Sequence, residues 1–132
     1  MIEVKNIEDL EKVINCVKNS KKNIIILSGT LGSGKTTFVQ QFTKSLGIKE
    51  GVNSPTFSIQ NIYGDKVFHY DLYNKDINEF LSLGMLEELD KEGYHFVEWG
   101  EELEKYLKNF GFDYLIIKIE LKKDKRIFNC IF

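Results

Sequence analysis

Asn23-Ile24-Ile25-Ile26-Leu27-Ser28, followed at once by Gly29-Thr30-Leu31-Gly32-Ser33-Gly34-Lys35-Thr36, decides the fold. The first stretch is a continuous apolar run of strand length, the mark of a strand covered on both faces of a sheet. The second satisfies G-x-x-x-x-G-K-[ST] without deviation. Residues 35–46 then place Phe38, Val39, Phe42 and Leu46 on one helical face, with Gly47 as the terminating glycine. Strand, glycine loop and helix in this order form a phosphate-binding loop. Its glycines let backbone N–H groups turn inward with no Cβ in the way. The helix opening at Lys35 adds the positive end of its dipole. Leu31, Gly32, Ser33 and Gly34 supply the cradle for a nucleoside triphosphate, read as ATP. Lys35 is assigned to the β- and γ-phosphates, the Thr36 hydroxyl to Mg²⁺ and Thr37 to the α-phosphate.

Working outward, 7–17 reads as a helix capped by Asn6, with Ile7, Leu10, Val13, Ile14 and Val17 inward. Residues 57–63 and 66–71 read as antiparallel strands joined by Gly64-Asp65. Residues 76–89 are helical with a break at Gly84, and Asp76 with Glu79 has capping-box spacing. Residues 94–98 form a second core strand and 100–108 a short helix. Strands at 114–121 and 126–132 make a C-terminal hairpin. The fold class is α/β: a P-loop NTPase sandwich with parallel core strands, antiparallel additions and that hairpin, in one domain over 1–132.

Composition narrows the function. The chain has 132 residues, 42% hydrophobic and 29% charged, with net charge −2. No apolar run approaches the roughly 20 residues of a membrane span, and the first residues lack the pattern of a signal peptide, so the chain reads as cytoplasmic. A protein gripping RNA by itself would carry a basic surplus. Seventeen of the eighteen basic residues are Lys; Arg126 is the exception. Cys16 and Cys130 match no metal-ligand spacing and read as buried thiols.

Two acids follow the loop, each at the carboxyl end of a strand: Asp71 in His69-Tyr70-Asp71-Leu72-Tyr73 and Glu98 in Phe96-Val97-Glu98-Trp99. Ligands of open α/β sheets gather there, and the pair suits Mg²⁺ ligation and orientation of an attacking water. Thr56, in Ser54-Pro55-Thr56-Phe57, stands where many P-loop proteins keep a γ-phosphate sensor. His69 reads as a packed strand residue and His95 as a structural histidine. Trp99 is open between a wall of the site, an interface anchor and core.

These pieces together resemble the bacterial TsaE (YjeE) family, the small ATPase of threonylcarbamoyladenosine tRNA modification. The resemblance rests on residues 29–37, S-P-T-F at 54–57, H-x-D-L-Y at 69–73, Glu79 with Leu83-Gly84-Met85, and Glu98-Trp99-Gly100-Glu101, in the family's order. It implies that Thr36 and Glu98 hold Mg²⁺, that Asp71 is the acid needed for hydrolysis, and that Thr56 belongs to the nucleotide-responsive segment. It also implies partners: TsaD and TsaB, which the protein would bind and reset through ATP hydrolysis, meeting tRNA only through the complex. Two positions depart from the family pattern. Asn74 stands where arginine is common after D-L-Y, and Phe80-Leu81 thins an acidic stretch.

Other activities fit less well. A small-molecule kinase usually surrounds the migrating phosphoryl group with arginines under a lid; this chain has one arginine, and no insertion of lid length. No N-K-x-D element for guanine occurs. A nucleotide-gated binding module with incidental hydrolysis stays open. Adenine contacts are expected from the segment near Asn6 or from the hairpin with Lys122, Lys123, Lys125 and Arg126.

Overall fold

The computed structural model describes residues 1–30, 32–49, 51 and 59–131. Among them the apolar run at 24–28 becomes β2 (Ile24–Ser28) in the middle of one sheet. From edge to edge the sheet runs β1 (Ile2–Val4), β7 (Arg126–Ile131), β6 (Leu115–Leu121), β2, β5 (Tyr94–Glu98), β4 (Val67–Asp71) and β3 (Gln60–Tyr63). The four inner strands β6, β2, β5 and β4 are parallel. Antiparallel strands flank them, β7 and β1 on one side and β3 on the other.

Strand alternation distributes the core. Ile25 and Leu27 of β2 face one layer, formed by α1 (Leu10–Ser20) and α2 (Lys35–Ser45). Ile24 and Ile26 face the opposite layer, with α3 (Ile77–Ser82), α4 (Met85–Glu88) and α5 (Glu104–Asn109). Phe38 and Phe42 of α2 are fully buried and meet Phe96, Phe128 and Tyr94 in tilted or edge-on ring contacts. Each such phenylalanine contributes roughly 1.5–3 kcal/mol of apolar burial, so this cluster anchors α2 and the loop that precedes it. No helix among the described residues is long and apolar enough to cross a membrane.

Several local readings change. The stretch 7–17 divides into a 3-10 turn, Ile7–Asp9, and then α1. Asn6 and Asp9 close a capping box, but Ile7 is 56% exposed instead of inward, because the turn sits on the rim of a cavity. Residues 2–4 form β1, which the sequence did not reveal; it pairs Val4 with Arg126. Asp76 caps α3 through the Asn78 N–H at 2.9 Å rather than through Glu79. Gly64 and Asp65 both have positive φ, 57° and 54°, which suits the two-residue turn between β3 and β4. Cys16 and Cys130 are half-buried free thiols, and burial, with the Cys16 thiol nearby, pushes the Cys130 thiol up to about 12.

Candidate functional site

Gly34 precedes α2 with φ of 111°, a conformation that glycine adopts without strain, and so turns the loop into the helix. The side chains of Lys35 and Thr36 then lie against the carboxyl ends of β4 and β5. There Asp71 and Glu98 are register partners. Alternation puts Val67, His69 and Asp71 of β4 on the α2 side, together with Tyr94, Phe96 and Glu98 of β5.

The Thr36 hydroxyl donates to Glu98 Oε2 at 3.0 Å. Glu98 is 4% exposed, and the same oxygen takes a short contact from His69 Nε2. Lys35 is 5% exposed; its Nζ donates to Gly29 O at 2.5 Å and Thr30 O at 3.2 Å. Burial lowers the lysine's pKa, opposed by the nearby charges of Glu98, Glu101 and Asp71. Burial likewise raises the Asp71 carboxyl; the Tyr73 N–H, 2.9 Å from Oδ1, opposes this, and the Glu98 charge adds to it. These groups surround a cavity of about 260 Å³ lined by residues 32–37, Asp71, Tyr73, Glu98, Trp99 and Arg126.

The structure thus gathers Gly32, Ser33, Gly34, Lys35, Thr36, Thr37, Asp71 and Glu98 around one space. Leu31 and the 54–57 segment with Thr56 lie outside the described residues. Trp99 is a wall of that space. A second cavity of about 220 Å³ adjoins it across Gly34, Thr37 and Arg126, and includes Asn6, Ile7 and Phe128. Lys122 and Lys125 instead pair with Glu120 and Glu3 on the surface.

Two residues gain roles that sequence reasoning did not assign. Arg126, expected only as one of several hairpin candidates for the adenine, reaches the phosphate loop itself and donates from Nε to Ser33 O at 2.7 Å. Sheet order brings it there, and a non-local order of strands leaves no trace in local sequence. His69 is fully buried but paired to a site carboxylate; the H-x-D alternation, which puts both residues on one strand face, was the available signal. His95 is satisfied within the fold by the Tyr70 hydroxyl at 2.7 Å and Lys91 O at 2.8 Å.

Residues 4–128 match the family profile described as threonylcarbamoyl adenosine biosynthesis protein TsaE. The chain is similar to the tRNA threonylcarbamoyladenosine biosynthesis protein TsaE of Bacillus subtilis, 41% identical over 64% of this chain and 55% of the relative. The protein of the same name from Aquifex aeolicus is 42% identical over 61% of this chain and 68% of the relative. The match therefore spans little more than half the length of the Bacillus relative. The crystal structure of Bacillus subtilis YdiB superposes with a TM-score of 0.62 at 26% identity, over 94% of this chain and 78% of that one.

Proposed function

The chain belongs to the TsaE family, and we propose that it is an ATP-binding, Mg²⁺-dependent ATPase of the cytoplasm, one domain that serves threonylcarbamoyladenosine modification of tRNA. In this reading it binds a TsaD–TsaB pair and resets it between turnovers, without transferring the group itself. The observation that carries the reading is the 3.0 Å approach of Thr36 Oγ1 to Glu98 Oε2 beside Lys35 and Asp71. Adjacent ligands of an octahedral Mg²⁺, with bonds of about 2.1 Å, stand roughly 3 Å apart. A hydroxyl and a carboxylate already at that separation fit the ion, which would be completed by phosphate oxygens and water.

Lys35 leaves the Gly29 and Thr30 carbonyls to contact the β- and γ-phosphates. The loop N–H groups and the dipole of α2 hold the remaining phosphate charge. Mg²⁺, when bound, neutralises charge on the β- and γ-oxygens. Asp71 orients the attacking water and accepts its proton, and its raised pKa suits that task. The cavity beside Asn6 and Phe128 receives the base, while Arg126 stands at the seam between base and phosphates. A net charge of −2 fits a protein that meets tRNA through its partners.

Steady-state ATP hydrolysis, measured for this chain alone and with its cognate TsaD–TsaB pair, tests the reading. Mg²⁺-dependent turnover raised by the pair is expected. Tight ATP binding with no turnover in either setting would leave a nucleotide-gated binding module instead.

A further inference from the structure

Two histidines are buried in the same sheet, and their surroundings differ. His95 uses both ring nitrogens within the fold, one on Tyr70 and one on Lys91 O. His69 is 0% exposed, and among the described residues its Nδ1 has no hydrogen-bond partner. Its polar contact is Nε2 with Glu98 Oε2. A carboxylate oxygen accepts only, so Nε2 carries the proton and Nδ1 presents a bare lone pair. Burying an imidazole is costly unless its polar atoms are bonded, and its one bond among the described residues goes to the oxygen that Thr36 also contacts.

We propose that His69 is a positioning residue for the cation site: its Nε2–H fixes the Glu98 carboxylate facing the Thr36 hydroxyl, so that the two oxygens meet Mg²⁺ as a preformed pair. The inference rests on the Mg²⁺-ATP reading of the site. In this role His69 acts on the cation through Glu98. The strand geometry supports it: His69 and Asp71 share a face of β4, Asp71 is the register partner of Glu98, and the ring reaches diagonally to the neighbouring strand. Without the bond, Glu98 is free to take other rotamers, and each encounter with the ion must first order it. Partners that orient metal ligands in this way typically matter by about 10–100-fold in metal affinity.

The test compares His69→Gln with His69→Asn. The Gln side chain reaches the place of Nε2 with an N–H donor; the Asn side chain ends short of Glu98. Both are buried amides of similar polarity, and the packing difference of one methylene is read separately from the thermal midpoints. ATP affinity is measured by calorimetry in EDTA and across a Mg²⁺ titration, alongside thermal midpoints. We expect His69→Asn to need about 10–100-fold more Mg²⁺ for tight ATP binding, with affinity in EDTA unchanged, and His69→Gln to stay near wild type. The proposal is overturned if the two variants share one Mg²⁺ dependence, or if affinity in EDTA falls in step with the Mg²⁺-dependent affinity. A wild-type protein whose ATP binding ignores Mg²⁺ would instead overturn the reading of the site on which the proposal rests.

Discussion

The Lys35 ammonium lies 3.8 Å from the centroid of the Trp99 ring, and Trp99 holds that place with a left-handed backbone, φ 61°. That conformation costs a non-glycine residue roughly 1–2 kcal/mol. A desolvated cation–π contact is worth about 2 kcal/mol, enough to offset it. Trp99 immediately follows Glu98, so one backbone turn sets both the carboxylate and the ring over the lysine. Because this is the chain's single tryptophan, its emission reports on Lys35. Titration with ATP should change the emission saturably as the ammonium moves to the phosphates. Constant emission through a binding isotherm recorded by calorimetry would show that ring and ammonium stay together.

Lys35→Ala should bind ATP at least about tenfold more weakly, since each hydrogen bond to a charged group contributes roughly 1.5–3 kcal/mol. The lysine's own acceptors are the Gly29 and Thr30 carbonyls, which lie in the loop itself. A thermal midpoint near wild type is therefore expected alongside the lost affinity. Unchanged affinity would remove the loop from nucleotide binding.

Glu98→Gln keeps the size of the side chain and removes its charge; Mg²⁺-dependent hydrolysis should be lost with the fold retained. Asp71→Asn should bind ATP and not turn it over. It should also be at least as stable as wild type without nucleotide. The sign follows from the raised carboxyl: the folded protein holds the Asp71 proton more tightly than the unfolded chain does. Asp71's favourable contribution is present below its ordinary value of 3.8 and is lost as pH rises through the folded value. At neutral pH its charge opposes folding, and the amide removes that opposition. Normal turnover in either variant would return that acid to a structural role.

These effects trace how far the residues alone declare the site. The loop and its flanking elements were legible because each carries a local constraint: an unbroken apolar run from Ile24 to Leu27 in β2, a glycine where φ must be positive at 34, and helical spacing from Phe38 to Phe42. Asp71 and Glu98 were legible because strand ends are readable once the strands are. β1 was not, since three residues are too few to show a period and its stability comes from pairing with β7. The site contacts of Arg126 and His69 were not legible for a related reason. Their partners, Ser33 and Glu98, are 93 and 29 residues away, and only the assembled sheet brings them together.

His95 gives the fold a pH dependence separate from the site. Burial lowers its pKa below the ordinary histidine value of 6.5, with the bond to Lys91 O opposing. Lys91 O can only accept, so Nε2 is the donor and Nδ1 takes the Tyr70 hydroxyl proton. The neutral ring is the satisfied form. The stability this provides is present above pH 6.5 and is lost as pH falls through the folded value, because the unfolded chain then binds the extra proton. The thermal midpoint should fall between pH 7 and pH 5, and His95→Gln should flatten that slope. An equal slope in both proteins would assign the acid sensitivity to other groups.

Arg126 decides whether hydrolysis is complete within one chain. The transition state spreads charge over the γ-phosphoryl oxygens, and an arginine finger there is worth about 10³–10⁵ in rate. Arg126 instead gives its Nε to Ser33 O and lies where the two cavities meet, beside Gly34 and Thr37. Thr37 is the residue expected at the α-phosphate, so in this reading Arg126 serves the base side of the loop, although it shares the phosphate-loop cavity with Asp71. Its removal should therefore raise the Kd for ATP and ADP alike, by about tenfold for a lost charge-assisted bond, and leave turnover at saturating ATP unchanged. The isolated chain should then be a slow ATPase, accelerated when a partner supplies charge or order from outside. Calorimetry with both nucleotides and steady-state assays of Arg126→Ala, alone and with the TsaD–TsaB pair, separate the possibilities. A collapse of turnover in the isolated variant, with ATP and ADP affinity intact, would place the finger in this chain. Rapid hydrolysis by the isolated wild type, with no gain from the pair, would remove the need for any partner in the chemistry.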